Sequence, residues 1–229
     1  MQKLSYDDFK LEYRRYNIPI HTSAFAFIGN VWGHGKQGEM AAHFHNCMEI
    51  GYCYEGRGFG FIEDKKVAYK PGDICVIAPN TIHMFAAQEG MAGKWEWIMA
   101  DTGAALKGTR YEELGNDKRL LMDNPAADNI FPESEYPSLM RKVKMMLHLF
   151  HQSEVRANTI KGLLLSFLAE YAACQEEISD ETPRQPAQNK MIPVLVYIQE
   201  HYMEKITIQM LAEICALSEE QFRRVFKQV

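Results

Sequence analysis

The spacing of apolar residues changes once along this chain, and that change limits the fold more than any other feature. From about Ser23 to Asp101 the sequence reads as short strand-like runs parted by glycine, proline or charged turns: Ser23 to Trp32, Met48 to Tyr54, Phe59 to Glu63, Val67 to Lys70, Asp73 to Ala78 and Trp95 to Met99. Many short strands at close spacing imply a sandwich or barrel. From about Glu133 the spacing becomes helical, with Leu139, Val143, Met146 and Phe150 on one face and Ile160, Leu164, Phe167, Leu168 and Tyr171 on another. The break near His151 to Glu154 is short, which predicts an antiparallel helical hairpin. Strands first and helices afterwards make an α+β chain.

Residues 178–190 (ISDETPRQPAQNK) carry two prolines, several charges and little apolar content, and read as a linker. Beyond them come three short helical segments: about Met191 to Met203 with Pro193 in the first turn, about Ile208 to Cys215, and one from Glu219 onward. With 229 residues, 47% hydrophobic and 24% charged, the chain holds one large domain or a medium one with a small second unit, and is neither disordered nor a coiled-coil rod. Its net charge of −5 gives no global attraction to a phosphate backbone, so any nucleic-acid contact needs a local basic surface. No apolar run reaches the ~18 residues of a membrane span. Asp7, Asp8, Lys10, Glu12, Arg14 and Arg15 stand where a secretory signal would be apolar, so a cytoplasmic location is expected. Cys47, Cys53, Cys75, Cys174 and Cys215 are odd in number and form no C-x-x-C pair, which argues against a disulfide framework and a four-thiolate zinc site.

The densest chemistry lies in His43-Phe44-His45-Asn46-Cys47-Met48-Glu49 and in Pro79-Asn80-Thr81-Ile82-His83. On a strand His43 and His45 point to the same face. Glu49 has the same parity, but on a straight strand it would lie ~13 Å beyond His45. A corner at Asn46 and Cys47 would bring it back, and His83 would join from a later strand. Three imidazoles and one carboxylate suit divalent zinc, iron, nickel, manganese or copper without choosing among them.

Here the sequence resembles the cupin superfamily. Gly38, His43, His45, Glu49 and Gly56 look like its first motif, and Gly72, Pro79 and His83 like its second. Three positions depart from the pattern: Gly38 to His43 is one residue short, Thr81 replaces a usual glycine, and Ala87 a common asparagine. None removes a ligand. The resemblance implies a small antiparallel barrel or jelly roll with His43, His45, Glu49 and His83 facing inward, occupied by one divalent metal (Zn, Ni, Fe or Mn) or, as in many sensor cupins, by an organic molecule alone. Trp32, Tyr54, Arg57, Phe61 and Trp97 are candidates to line a ligand pocket, although strand parity turns about half of such residues away from any one cavity.

The second informative region is Ile206 to Lys227. Thr207 is placed to cap one helix, and Ser218 with Gln221 makes a capping-box start for the next. Leu211, Ile214, Leu217, Phe222, Val225 and Phe226 form a small shared core, leaving Arg223, Arg224 and Lys227 outside. This is the pattern of a helix-turn-helix whose second helix enters the major groove. The Leu211-Ala212 pair, Ser218 and the Phe222-Arg223-Arg224-Val225-Phe226-Lys227 run resemble the first helix-turn-helix of AraC-type transcription regulators, and a cupin, a hairpin and a linker occur in the same order in that family. The resemblance implies a cupin-like ligand-sensing domain over 1–130, a dimerising hairpin over 131–178, a linker over 179–190 and a first helix-turn-helix over 191–229. Gln221, Arg223, Arg224 and Lys227 would contact DNA. Family members continue through a linker helix into a second helix-turn-helix, and this sequence stops before both. Residues 190–229 hold five basic and five acidic side chains, so this chain by itself is expected to bind DNA poorly.

Two function classes follow. The first is a small-molecule-responsive regulator, homodimeric, with an effector such as a sugar, and DNA as its partner. The second is a metal-dependent cupin enzyme, a dioxygenase or sugar isomerase, for which no further acid or base stands out beyond ambiguous candidates such as Tyr52 and His21. A metal that merely fixes the barrel is the third use of the same ligands.

Overall fold

The computed structural model describes residues 11–34, 42–63, 65–109, 129–152, 156–178 and 191–226. Ten strands divide between two five-stranded sheets. They are β1 (Leu11–Arg14), β2 (Ala24–His34), β3 (Ala42–His45), β4 (Met48–Glu55), β5 (Gly58–Ile62), β6 (Lys65–Tyr69), β7 (Asp73–Ile77), β8 (His83–Ala87), β9 (Gly93–Ala100) and, after the short helix α1 (Thr102–Leu106), β10 (Ile130–Pro132). The first sheet has the order β1-β3-β8-β5-β6 and the second β10-β7-β4-β9-β2. All pairings are antiparallel except β1 with β3.

Strand parity sorts the side chains as expected. Cys53, Ile62, Val67, Tyr69, Cys75, Ile77, Phe85, Trp95, Trp97 and Met99 meet between the sheets. The interior is tightly filled at Gly51, where an added Cβ would stand 2.2 Å from Cζ3 of Trp97. The alternate residues of the second sheet, including Met48, Ile50, Ile74, Val76 and Ile98, pack under α2 (Pro137–Phe150) and α3 (Ala157–Ile178). Burial on both faces explains why β7 is apolar at nearly every position. The hairpin is antiparallel: Ser138 and Lys142 near the start of α2 bond Glu170 late in α3.

Three helices follow, α4 (Ile192–His201), α5 (Ile208–Ile214) and α6 (Glu219–Phe226). Thr207 Oγ1 accepts from Met210 N at 3.2 Å, and Ser218 and Gln221 exchange reciprocal bonds of 3.2 and 3.1 Å, so both caps form. The turn between α5 and α6 passes through Ala216 at a φ of +52°. Met191, Val194, Leu211, Ala212, Cys215 and Phe222 make the core of this unit. Ile214 and Phe226, expected inside it, are instead partly exposed. Cys215, four residues after Leu211, takes the inward position because i and i+4 share a helix face. Residues 179–190, expected as a linker, lie outside the described residues.

Six strands fall on the apolar runs and β3 and β8 on the histidine segments, whereas β1 and β10 have no such signal, each being short and gaining its place by pairing. The short α1, whose Asp101 side chain caps Ala104 N at 2.9 Å, was also unexpected.

Candidate metal centre

The corner expected at Asn46 and Cys47 is present as a bend between β3 and β4, which belong to different sheets. It brings Glu49 back over the histidine strand. His43 pairs directly with His83 across β3 and β8. Through these two devices one ligand atom from each of His43, His45, Glu49 and His83 falls within 4.8 Å of the others. His45, Glu49 and His83 are buried, and His43 is partly so.

The hydrogen bonds around this cluster fix its chemistry. His45 Nδ1 lies 2.9 Å from the Cys47 carbonyl and His83 Nδ1 lies 2.8 Å from the Thr81 carbonyl. A carbonyl only accepts, so each Nδ1 carries its hydrogen and donates. In a neutral ring this leaves a bare lone pair on Nε2. Both Nε2 atoms stand 2.9 Å from the same oxygen, Glu49 Oε2. Neutral imidazoles would therefore press lone pairs against a carboxylate, and a positive charge between them, either protons or a metal ion, removes that repulsion. His83 Nε2 is also out of line for a hydrogen bond and is left without one, although it is close enough for an ion pair.

Geometry and electrostatics both suit a divalent cation. Bonds of about 2.1 Å place neighbouring corners of an octahedron about 3.0 Å apart, close to the two 2.9 Å separations. Burial, followed by the neighbouring His83, pushes His43 down to about 2, so its ring is a neutral ligand at physiological pH. Burial alone would raise Glu49, but His45 and His83 outweigh it and hold the carboxyl well below the usual range. Backbone carbonyls that orient the Nδ1–H groups are the supports metal-binding histidines use. Cys47, by contrast, is pushed up to about 12 by burial and then by Glu49, so it remains a thiol.

Two further residues had no clear signal in the sequence, Tyr16 beside the cluster and Glu96 away from it. Tyr16 packs against the His45 ring with centroids 5.8 Å apart and touches Phe25 and Phe27. Asn46 holds it there, accepting from Tyr16 N at 2.8 Å and donating to Tyr16 O at 3.0 Å. Residues 15–19 have no regular structure, so no periodicity pointed to them. Glu96 is buried behind the second sheet and accepts from Gly29 N (2.7 Å), Tyr54 Oη (2.6 Å) and His151 Nε2 (2.8 Å). Its signal was a lone acid between Trp95 and Trp97.

Four of the pocket candidates, Tyr54, Arg57, Phe61 and Trp97, lie in different places. Trp97 is stacked on Trp95 at 4.8 Å in the filled interior. Tyr54 sits at the hairpin seam on Glu96, and Phe61 packs on the outer face of the first sheet with Phe44 and Met84. Arg57 lines a groove at the barrel edge. Trp32 pairs through its backbone with Trp95. Alternation separates them, since odd and even residues of a strand face opposite ways. In the C-terminal unit Arg223 and Arg224 are exposed, with Arg223 3.7 Å from Glu219, while the Gln221 amide oxygen serves the capping box. Lys227 lies outside the described residues. Tyr52 packs on the helix side of the second sheet and His21 is an exposed turn residue, so neither adjoins the cluster.

Residues 33–168 match the family described as the AraC-like ligand-binding domain. No curated protein matches the sequence. Among solved structures, apo ToxT from Vibrio cholerae strain SCE256 superposes with a TM-score of 0.52 at 10% identity, covering 93% of this chain and 76% of that one. ToxT from Vibrio cholerae O395 gives 0.50 at 8% identity, over 90% and 74%. The AraC-like transcriptional activator CuxR gives 0.44 at 14%, over 80% of this chain and 61% of its own length. At such identities the two ToxT likenesses describe the fold alone. No helix among the described residues is long and apolar enough to cross a membrane.

Proposed function

This chain belongs to the family of the AraC-like ligand-binding domain, and from that premise we propose that it is a small-molecule-responsive transcription regulator. The observation that carries the reading is the presence, in one chain, of that domain and of the doubly capped helix pair α5 and α6. The barrel senses; α6 presents Arg223 and Arg224 to DNA; two copies act together through the hairpin.

One divalent ion, Zn, Ni, Fe or Mn, is held by His43, His45, Glu49 and His83, and supplies a positive centre inside the barrel. The chain's own residues carry the response outward. The segments bearing His43, His45 and His83 carry the buried Ala42, Phe44, Ile82 and Met84 on their other face, where Leu195 and Val196 of α4 pack. A shift of β3 or β8 by a bound effector thus changes the seat of the C-terminal helices, and the effector need only prefer one of the two arrangements. The outward placement of Tyr52 and His21 supports a sensor over an enzyme, because neither stands ready to move a proton at the cluster.

The test is selection of DNA from a random library at low salt, followed by anisotropy titration with and without a metabolite library. We expect weak, salt-dependent binding to an enriched sequence, lost in Arg223→Ala and Arg224→Ala and shifted by at least one small molecule. No enriched sequence, together with turnover of a library member, would replace this reading with the enzymatic one.

A further inference from the structure

The seat of α4 on the barrel is built from the sequence neighbours of the metal ligands. His43 and His45 alternate along β3 with Ala42 and Phe44, and His83, which opens β8, lies between Ile82 and Met84. The ligands face the barrel interior, so their immediate neighbours face out. There Ala42, Phe44, Ile82 and Met84, none more than 5% exposed, form one apolar cluster on which Leu195 and Val196 pack. Another face of α4, with Val194 and the preceding Met191, belongs to the core shared with Leu211 of α5 and Phe222 of α6. One helix thus touches both the back of the ligand strands and the helix pair.

The ligands stand where three strands meet. His43 of β3 is opposite His83 of β8, and Glu49 reaches His45 and His83 from β4 in the other sheet. A cation held by the four ties β3, β8 and β4 at one point. Without it, neutral His45 and His83 crowd the Glu49 carboxylate at 2.9 Å, which favours a wider spacing of the same strands. The surroundings suit an ion better than a larger molecule. The Phe85 ring stands 6.3 Å from His83 and 5.3 Å from Trp97, and Tyr16 lies 5.8 Å from His45. The four ligand atoms already lie within 4.8 Å of one another, and His43, only partly buried, leaves an ion a way in.

We propose that the divalent ion is itself the effector: its binding draws β3 and β8 into the spacing that seats α4, and so sets the position of α5 and α6. Three imidazoles select a first-row transition ion such as zinc or nickel over magnesium. A change at the ligands moves the seat because the two sets of side chains alternate on the same backbone. The proposal rests on the sensor reading for its regulatory meaning and deepens it by naming the signal.

The chelator-treated 229-residue chain would be titrated calorimetrically with nickel, zinc and magnesium, and its hydrogen exchange followed with and without each ion. Nickel or zinc should bind and slow exchange in α4 about fivefold or more, and magnesium should do neither. Coupling is reciprocal, so loosening the seat must weaken the ion. Leu195→Ala with Val196→Ala removes no ligand, yet it should lower nickel or zinc affinity about fivefold or more and abolish the ion-dependent protection of α4. Val196→Ala alone, the milder change, should move both in the same direction. Unchanged ion affinity in these variants, or nickel and zinc bound with α4 unaffected, overturns the proposal, as does a parent that binds neither ion. An enriched DNA sequence bound equally with and without the ion also overturns it, and leaves the regulator reading to an organic effector. Coupling in a chain that enriches no DNA sequence leaves the ion-set seat standing and counts against the regulator reading alone.

Discussion

His83 Nε2 stands 2.9 Å from Glu49 Oε2 without hydrogen bonding to it. The same oxygen faces His45 Nε2 at the same distance. Two imidazole nitrogens crowded against one carboxylate oxygen define a place for positive charge.

Metal content of untagged protein, measured by elemental mass spectrometry, should approach one divalent ion per chain. His43→Ala with His83→Ala should lose it, since two of the four ligands go. Parent protein that stays metal-free when refolded with excess zinc, nickel, iron or manganese would remove the metal from this account.

Metal-free protein should lose stability as pH falls. His43 is pushed from 6.5 to about 2 in the fold, so below pH 6.5 the unfolded chain binds a proton that the folded chain does not. The loss is at most about 1.4 kcal/mol per pH unit from this group. Glu49, held well below its ordinary 4.5, adds stability above that value that drains as pH drops through its folded range, in the same direction. Urea unfolding of the chelator-treated protein should show the decline between about pH 6.5 and 4.5, and His43→Gln should flatten it. A level profile in the parent would contradict the assignment.

Gly51→Ala should cost about 1–3 kcal/mol. The new methyl would meet Trp97 at 2.2 Å, and Trp97 cannot retreat because it is stacked on Trp95. Chemical denaturation measures this, and a change within experimental error would mean that the interior is looser than its packing indicates.

Glu96→Ala should destabilise by about 1–2 kcal/mol, because it removes the bonds from the Gly29 amide and the Tyr54 hydroxyl at the hairpin seam. His151→Ala should cost under about 1 kcal/mol, since the His151 side chain is 45% exposed. Equal costs for the two would show that the pair, and not the buried carboxylate, holds the seam.

Ser218→Ala should cost about 1 kcal/mol through loss of its bond to Gln221 N. Hydrogen exchange should speed in α6 and remain unchanged in the barrel strands. Faster exchange throughout the chain would tie the two units more closely than their packing suggests.

The sequence by itself determined what local rules govern. Alternation placed β4, β5, β7 and β9, helical spacing placed α2 and α3, and the cap residues Thr207 and Ser218 set where α5 and α6 begin. The four cluster residues were legible because parity put His43 and His45 on one face and a turn was required to recover Glu49. Tertiary structure decided what depends on distant chain segments. Pairing in the sheets created β1 and β10, joined His83 to His43 across 40 positions of sequence, and drew Tyr16 over the cluster through Asn46. It also scattered Tyr54, Arg57, Phe61 and Trp97, because parity says that neighbours on a strand face opposite ways but not which way is in. That choice belongs to the packing of two sheets and a hairpin, where the second sheet is buried on both sides and the first presents Phe61 and Arg57 outward.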